Sequence, residues 1–139
     1  APLKQPLHLS GIPKISLKLA SSKPAVNLSV YLVSLPWNTQ DKAPITDNII
    51  TRGWADPQNT SLRESTPLTP GEFVEISFEL MPDDQVIPKG AQIGLMIFSS
   101  DAEFTLRPKL GTKMTLDLKG TKLTIPVVGG AQAFNACFE

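Results

Sequence analysis

Few side chains in this chain are equipped for catalysis. One histidine, His8, and one cysteine, Cys137, stand at opposite ends of 139 residues. Nucleophilic catalysis needs a nucleophile, a base and an orienting acid within hydrogen-bond reach. No Gly-x-Ser-x-Gly elbow occurs, and an elbow also requires a strand-turn-helix setting that the pattern here lacks. Ser99-Ser100-Asp101 brings hydroxyls beside a carboxylate, but it follows an apolar run. It reads as a strand ending in a turn, where serine and aspartate hydrogen-bond the backbone. His8 reads as a strand histidine, and Cys137 falls in a frayed terminal segment, Ala131 to Glu139. One His and one Cys do not make a zinc site. Calcium takes loop oxygens, and Asp83-Asp84, Asp41 with Asp47, and Asp101 with Glu103 all stand near predicted turns. None has EF-hand spacing. Gly129-Gly130 follows a strand but opens no helix, which argues against a phosphate loop. The expectation is no catalytic residue, no metal and no cofactor. Two sequons, Asn27-Leu28-Ser29 and Asn59-Thr60-Ser61, are short patterns expected by chance, the first inside a strand.

Functional residues must therefore be sought on a scaffold, and the scaffold is legible. From Phe73 to Leu80, Val74, Ile76, Phe78 and Leu80 alternate with Glu75, Ser77 and Glu79. Period-2 alternation places the apolar set on one face of a half-buried strand. A connection marked by Pro82, Pro88 and Gly90 follows, then an apolar run from Ile93 to Phe98. Further strands are expected at Pro6–Leu9, Lys14–Leu19, Asn27–Leu35, Asn48–Gly53, Glu103–Arg107, Lys113–Leu118 and Lys122–Val127. Pro36 to Asp47 reads as a loop. Ala55 to Thr69, with Pro57 and Pro67, is long for a structureless connection and reads as a crossover between sheets. Lys119-Gly120 predicts a tight hairpin between the last two strands. Pro126 lacks a ladder donor, which places the last strand at an edge or on a bulge. Eight or so short strands with mixed connections predict an all-β fold, a jelly-roll or Greek-key β-sandwich of the galactose-binding-like kind, with little helix. One domain, 1–139, accounts for the whole length.

Charge narrows the partners. Thirteen Lys and Arg balance thirteen Asp and Glu, so no net field draws the chain to nucleic acid or an anionic membrane. No apolar run approaches the roughly 20 residues of a membrane-spanning helix. The first residues carry no signal-peptide h-region, and a start at Ala1 suggests a processed or excised piece. A lone cysteine forms no internal disulfide and leaves the compartment open.

Three stretches resemble a known family. Ile50-Thr51-Arg52-Gly53-Trp54-Ala55-Asp56-Pro57-Gln58-Asn59, then Pro70-Gly71-Glu72, then Ile87-Pro88-Lys89-Gly90-Ala91-Gln92-Ile93 are similar to the C-terminal domain of bacterial Xaa-Pro dipeptidyl-peptidases, within the wider group of cocaine-esterase-like hydrolases. Ser10-Gly11-Ile12-Pro13 fits the start of that domain, and the likeness covers nearly the whole chain. The resemblance implies a jelly-roll domain that packs on an α/β-hydrolase domain of the same parent chain and contributes to the surroundings of its active-site entrance. In that family the hydrolase domain bears a Ser-His-Asp triad and releases Xaa-Pro dipeptides from peptide N-termini. No triad residue carries over to this sequence, and His8 is not promoted to the base.

Two strands are apolar on both faces. Tyr31, Val33 and Leu35 oppose Leu28, Val30 and Leu32, while Met96 and Phe98 oppose Ile93, Leu95 and Ile97. One face fills the core and the other needs a cover, which is a loop, the hydrolase domain or a second copy of this domain. Tyr31, Val33, Met96 and Phe98 are the candidate docking face. Trp37 and Trp54, each just after a predicted strand, are candidate sugar-stacking residues under the alternative of a carbohydrate-binding module.

Overall fold

The computed structural model describes residues 1–37, 48–59, 61 and 63–139. Among these lie β1 (Leu7–Gly11), β2 (Lys14–Ser21), β3 (Leu28–Leu35), β4 (Ile49–Ala55), β5 (Phe73–Glu79), β6 (Asp83–Ile87), β7 (Gln92–Phe98), β8 (Met114–Leu116), β9 (Lys122–Thr124) and one helix, α1 (Gly130–Ala136). Every strand pairing is antiparallel. Two main sheets form, β5-β2-β8 with β9 also on β2, and β4-β3-β7, while β1 and β6 make a separate pair. Of the paired strands, β3 and β4 alone are successive in sequence. The others join across the chain, as Greek-key connections require, and the architecture is the expected all-β sandwich.

Alternation explains the core. Ile15, Leu17 and Leu19 of β2 point the same way as Val74, Ile76 and Phe78 of β5, and they meet Leu28, Val30 and Leu32 of β3 with Ile93, Leu95 and Ile97 of β7. Leu7, Leu9 and Ile87 of the β1-β6 pair close the same cluster. Gly53 lets the β4 backbone approach this core: a Cβ there would lie 2.8 Å from Leu80 Cδ2 and 3.1 Å from the Glu79 carbonyl oxygen. The crossover over residues 55–69 is as expected, since it carries the chain from β4 in one sheet to β5 in the other.

Five local expectations are corrected. The connection between Pro82 and Gly90 contains β6, which pairs with β1 from Leu7–Ile87 to Gly11–Asp83, so Asp83 and Asp84 sit in a strand and not a turn. Glu103–Arg107 forms no strand, because the Phe104 and Thr105 N–H groups bond back to the Asp101 carbonyl and wind its start into a turn. β8 and β9 do not pair as a hairpin. β8 pairs with the Leu19–Ser21 end of β2 and β9 with the Lys14–Ser16 end. The turn between them is held by Asp117, whose Oδ1 accepts the N–H groups of Lys119 (3.0 Å) and Gly120 (3.3 Å). Gly130 does open a helix, seven residues long and without a phosphate-loop motif behind it. The C-terminal segment is accordingly not frayed: Phe134 and Phe138 pack on the core and Cys137 is buried.

Candidate functional site

The two main sheets present different outer faces. That of β5-β2-β8 is mostly polar: Lys14 Nζ meets Glu79 at 2.8 Å, Ser77 donates to Ser16 at 3.0 Å, Lys18 Nζ lies 3.5 Å from Asp117, and the one large apolar ring on it, Phe73, is 48% exposed beneath Lys18. It is a water-facing surface. The outer face of β4-β3-β7 is aromatic and apolar, and register builds it. Tyr31 stands opposite Arg52 and Met96, Ser29 opposite Trp54 and Phe98, and Val33 opposite Gly94.

Asp101 ties this face together. Just beyond β7 the chain folds back, and the buried Asp101 carboxylate, 7% exposed, accepts two side-chain hydrogen bonds on the same oxygen, Oδ2. Tyr31 donates at 2.6 Å and Trp54 Nε1 at 3.0 Å. The backbone carbonyl of Asp101 also accepts from the N–H groups of Phe104 and Thr105, winding the segment into a turn. Phe104 then lies over Trp54, with ring centroids 5.1 Å apart. The Arg52 guanidinium sits between two rings, 4.9 Å from Phe104 and 5.4 Å from Tyr31, within cation–π range. Tyr31 also meets Phe98 edge-on at 5.0 Å. Burial, followed by the hydrogen bond to Asp101, pushes the Tyr31 phenol above its ordinary value of 10.0.

Beneath this cluster Ser29 Oγ is fully buried and, among the described residues, has no hydrogen-bond partner. Beside it, Asn27, Trp54, Ala55, Asp56, Thr105 and Leu106 line an open cavity of about 320 Å³.

The structure thus separates the four residues of the candidate docking face. Tyr31 lies under the 101–104 turn and Val33 is 2% exposed, whereas Met96 is 40% exposed and Phe98 half-buried. Trp54 is half-buried and its N–H is committed to Asp101, while Trp37 is half-buried just after the cis Leu35–Pro36 bond. His8 Nε2 pairs at 2.6 Å with the exposed Asp84 across the β1-β6 ladder, and the Cys137 thiol faces the carbonyls of Pro6 and Ala133. Those two groups are not brought together. Of the acidic pairs near predicted turns, Asp41 and Asp47 lie outside the described residues; Asp101 serves the cluster just described and Glu103 is exposed. No three His, Cys, Asp or Glu side chains converge as a metal-holding group among the described residues.

Sequence reasoning missed Asp101 and Arg52 as partners of Tyr31 and Trp54. The one available signal was the Ser99-Ser100-Asp101 run at a strand end, which marks the turn but not the aromatic pair that it faces.

Comparison with known proteins agrees with this architecture. Residues 1–135 match a family described as X-Pro dipeptidyl-peptidase C-terminal non-catalytic domain. A protein of Rhodopirellula baltica, provisionally named a Xaa-Pro dipeptidyl-peptidase, is 66% identical over 129 residues, which is 92% of this chain and 21% of that protein. The Xaa-Pro dipeptidyl-peptidase of Lactobacillus delbrueckii subsp. lactis is 31% identical over 151 residues, covering 86% of this chain and 19% of that one. The chain therefore spans about a fifth of the length of such relatives. Among solved structures, an α-amino acid ester hydrolase shares the fold with a TM-score of 0.74 at 18% identity, covering 92% of this chain and 24% of that chain. A CocE/NonD family hydrolase from Staphylococcus aureus shares it with a TM-score of 0.67 at 14% identity, over 92% of this chain and 29% of the other.

Proposed function

Because the chain belongs to the family of X-Pro dipeptidyl-peptidase C-terminal non-catalytic domains, we propose that it serves a parent serine peptidase that releases Xaa-Pro dipeptides from peptide N-termini. Its role there is to pack on the α/β-hydrolase catalytic domain and to help shape the entrance to the active site. The observation that carries this reading is the match over residues 1–135 to a domain that makes up only about a fifth of its relatives. The asymmetry of the two outer faces supports it. The β5-β2-β8 face pairs Lys14 with Glu79 and Lys18 with Asp117 and leaves Phe73 half exposed, whereas the β4-β3-β7 face has no ion pair among the described residues and leaves both Met96 and the Phe104 ring in contact with water. Interdomain surfaces of this kind commonly bury about 600–1,500 Å². The carbohydrate-binding alternative is the weaker one, since the Trp54 indole is already stacked on Phe104 and bonded to Asp101.

The test is a comparison of the parent peptidase with and without residues 1–139. A Gly-Pro chromogenic substrate and a longer Xaa-Pro peptide are assayed side by side. The expected result is a loss of kcat/KM that differs between the two substrates, as a reshaped entrance requires. Equal activity on both, with and without the domain, would remove the entrance role.

A further inference from the structure

The segment after β7 carries an alternation of which the domain uses only Phe104, packed on Trp54 and Arg52. Phe104, Leu106 and Leu110 are apolar at even spacing, yet no strand forms, and they are 50%, 85% and 97% exposed. Isolated exposed leucines are ordinary on a surface. A short stretch holding two leucines almost wholly in water is not, when its backbone is fixed rather than free.

Its backbone is fixed at four places. Asp101 anchors one end through Tyr31 and Trp54. The Asn27 side-chain amide donates to the Leu106 carbonyl, and Lys23 Nζ donates to the Leu110 carbonyl. At the far end the Lys113 N–H donates to Ser22 Oγ at 2.8 Å. All four anchors leave Leu106 and Leu110 outside. The cavity lined by Trp54 and Leu106 lies directly beside them, so a knob and a hollow are presented together. Charge does not distinguish the arm: Arg107 and Lys109 stand with Glu103 on it, Asp101 lies at its base and Asp56 lines the hollow.

We propose that residues 102–110 are a preformed docking arm, and that its occupant is an apolar patch of the catalytic domain in the same parent chain. This rests on the reading of the chain as one domain of a longer peptidase, in whose relatives about four-fifths of the length lies outside the matched region. An arm held rigid before contact loses little conformational entropy on docking, which is why pinned backbone with exposed anchors suits an interface.

The experiment uses the full-length parent. Leu106→Cys, Leu110→Cys, Met96→Cys and, as a reference, Leu118→Cys (in the turn between β8 and β9) are labelled with a maleimide, and the labelling of the unsubstituted parent, to which Cys137 at 2% exposure contributes little, is subtracted. The expected result is labelling at positions 106 and 110 at least about tenfold slower than at 118, as an interface that must open locally requires, and unchanged on dilution. Hydrogen exchange on the unsubstituted parent checks the same point without mutation. The N–H groups of Leu106, Arg107, Lys109 and Leu110 have no acceptor among the described residues, so slow exchange there needs an outside cover. Labelling at 106 and 110 as fast as at 118, with fast exchange, overturns the arm. If position 96 is then slow, the docked-domain reading survives; if 96 is fast as well, that reading falls with it. Protection that disappears on dilution assigns the arm to a second copy of the protein and overturns the proposal.

Discussion

Replacing Asp101 with alanine removes the acceptor on which the outer face of β4-β3-β7 depends. Two side-chain donors lose a charged partner, Tyr31 at 2.6 Å and Trp54 at 3.0 Å. Hydrogen bonds to charged groups contribute about 1.5–3 kcal/mol each, and a buried donor left unpaired adds a desolvation cost. Trp54 is only half-buried and can turn to water, so its share is discounted, whereas Tyr31 is 8% exposed and cannot. The expected loss is about 2–4 kcal/mol, which for a domain of this size lowers Tm by roughly 6–14 °C. Urea unfolding followed by tryptophan fluorescence measures it. A double-mutant cycle of Tyr31→Phe with Asp101→Ala should return a coupling of about 1–2 kcal/mol. Trypsin supplies a local readout: Arg107 precedes Pro108 and resists cleavage, so faster cutting after Lys109 reports release of the segment that Asp101 anchors. A loss under about 0.5 kcal/mol together with zero coupling would refute the idea that this carboxylate fixes the segment.

Ser29→Ala should stabilise, by about 1 kcal/mol or roughly 3 °C in Tm, because it deletes a buried hydroxyl that has no partner among the described residues; a lower Tm would show that the hydroxyl is satisfied. Gly53→Ala should cost about 2–3 kcal/mol in chemical denaturation, since the new methyl meets Leu80 at 2.8 Å and backbone at 3.1 Å; an unchanged midpoint would show that β5 moves aside freely. Tyr31 is the one tyrosine in the chain, so ultraviolet phenolate absorbance reads it alone, and its titration should lie above 10.0 in the folded protein. The folded state holds that proton longer than the unfolded state does, so this contribution to stability is complete below pH 10.0 and is lost as pH rises through the folded value. Tyr31→Phe should remove that part of the alkaline slope, and an identical slope in the variant would contradict it.

Most of the sandwich was legible because alternation and burial coincide. β5 is the clearest case, with Val74, Ile76 and Phe78 inward and Glu75 and Glu79 outward. Where the reading failed, a distant partner decided the outcome. β6 offers only Val86 and Ile87 as apolar residues, between prolines, and becomes a strand because β1 supplies its ladder. Glu103–Arg107 has better alternation than β6, but its start is wound into the turn that Tyr31 and Trp54 anchor at Asp101, so it remains irregular. The hairpin signal at Lys119-Gly120 marked a true turn, but β2 had room for both flanking runs along one side, and each bonds to it instead of to the other. α1 has no side-chain cap and starts at glycine, so contacts at its far end hold it: Phe134, Phe138 and the buried Cys137 pack on the core, and the Lys4 N–H donates to the Cys137 carbonyl at 2.7 Å. The aromatic cluster was half legible: Tyr31, Trp54 and Phe98 drew attention by residue type, while Asp101 and Arg52 became partners only through strand register and the fold-back of the chain.

The divided flank of β2 bears on how the domain behaves in a crowded solution. A long straight border of free N–H and C=O groups is a template for another chain, and the route by which sheet proteins clump. On this side the border consists of two three-residue strands separated by the Asp117 turn, so an incoming strand finds no more than three residues in line before the backbone turns away. The opposite border, β5, is seven residues long, but on its water-facing side it carries Glu75, which has no ion pair among the described residues, beside the Lys14-paired Glu79. Two copies laid edge to edge there would bring like charges together. The β5-β2-β8 sheet is thus blunted at one border by geometry and at the other by charge.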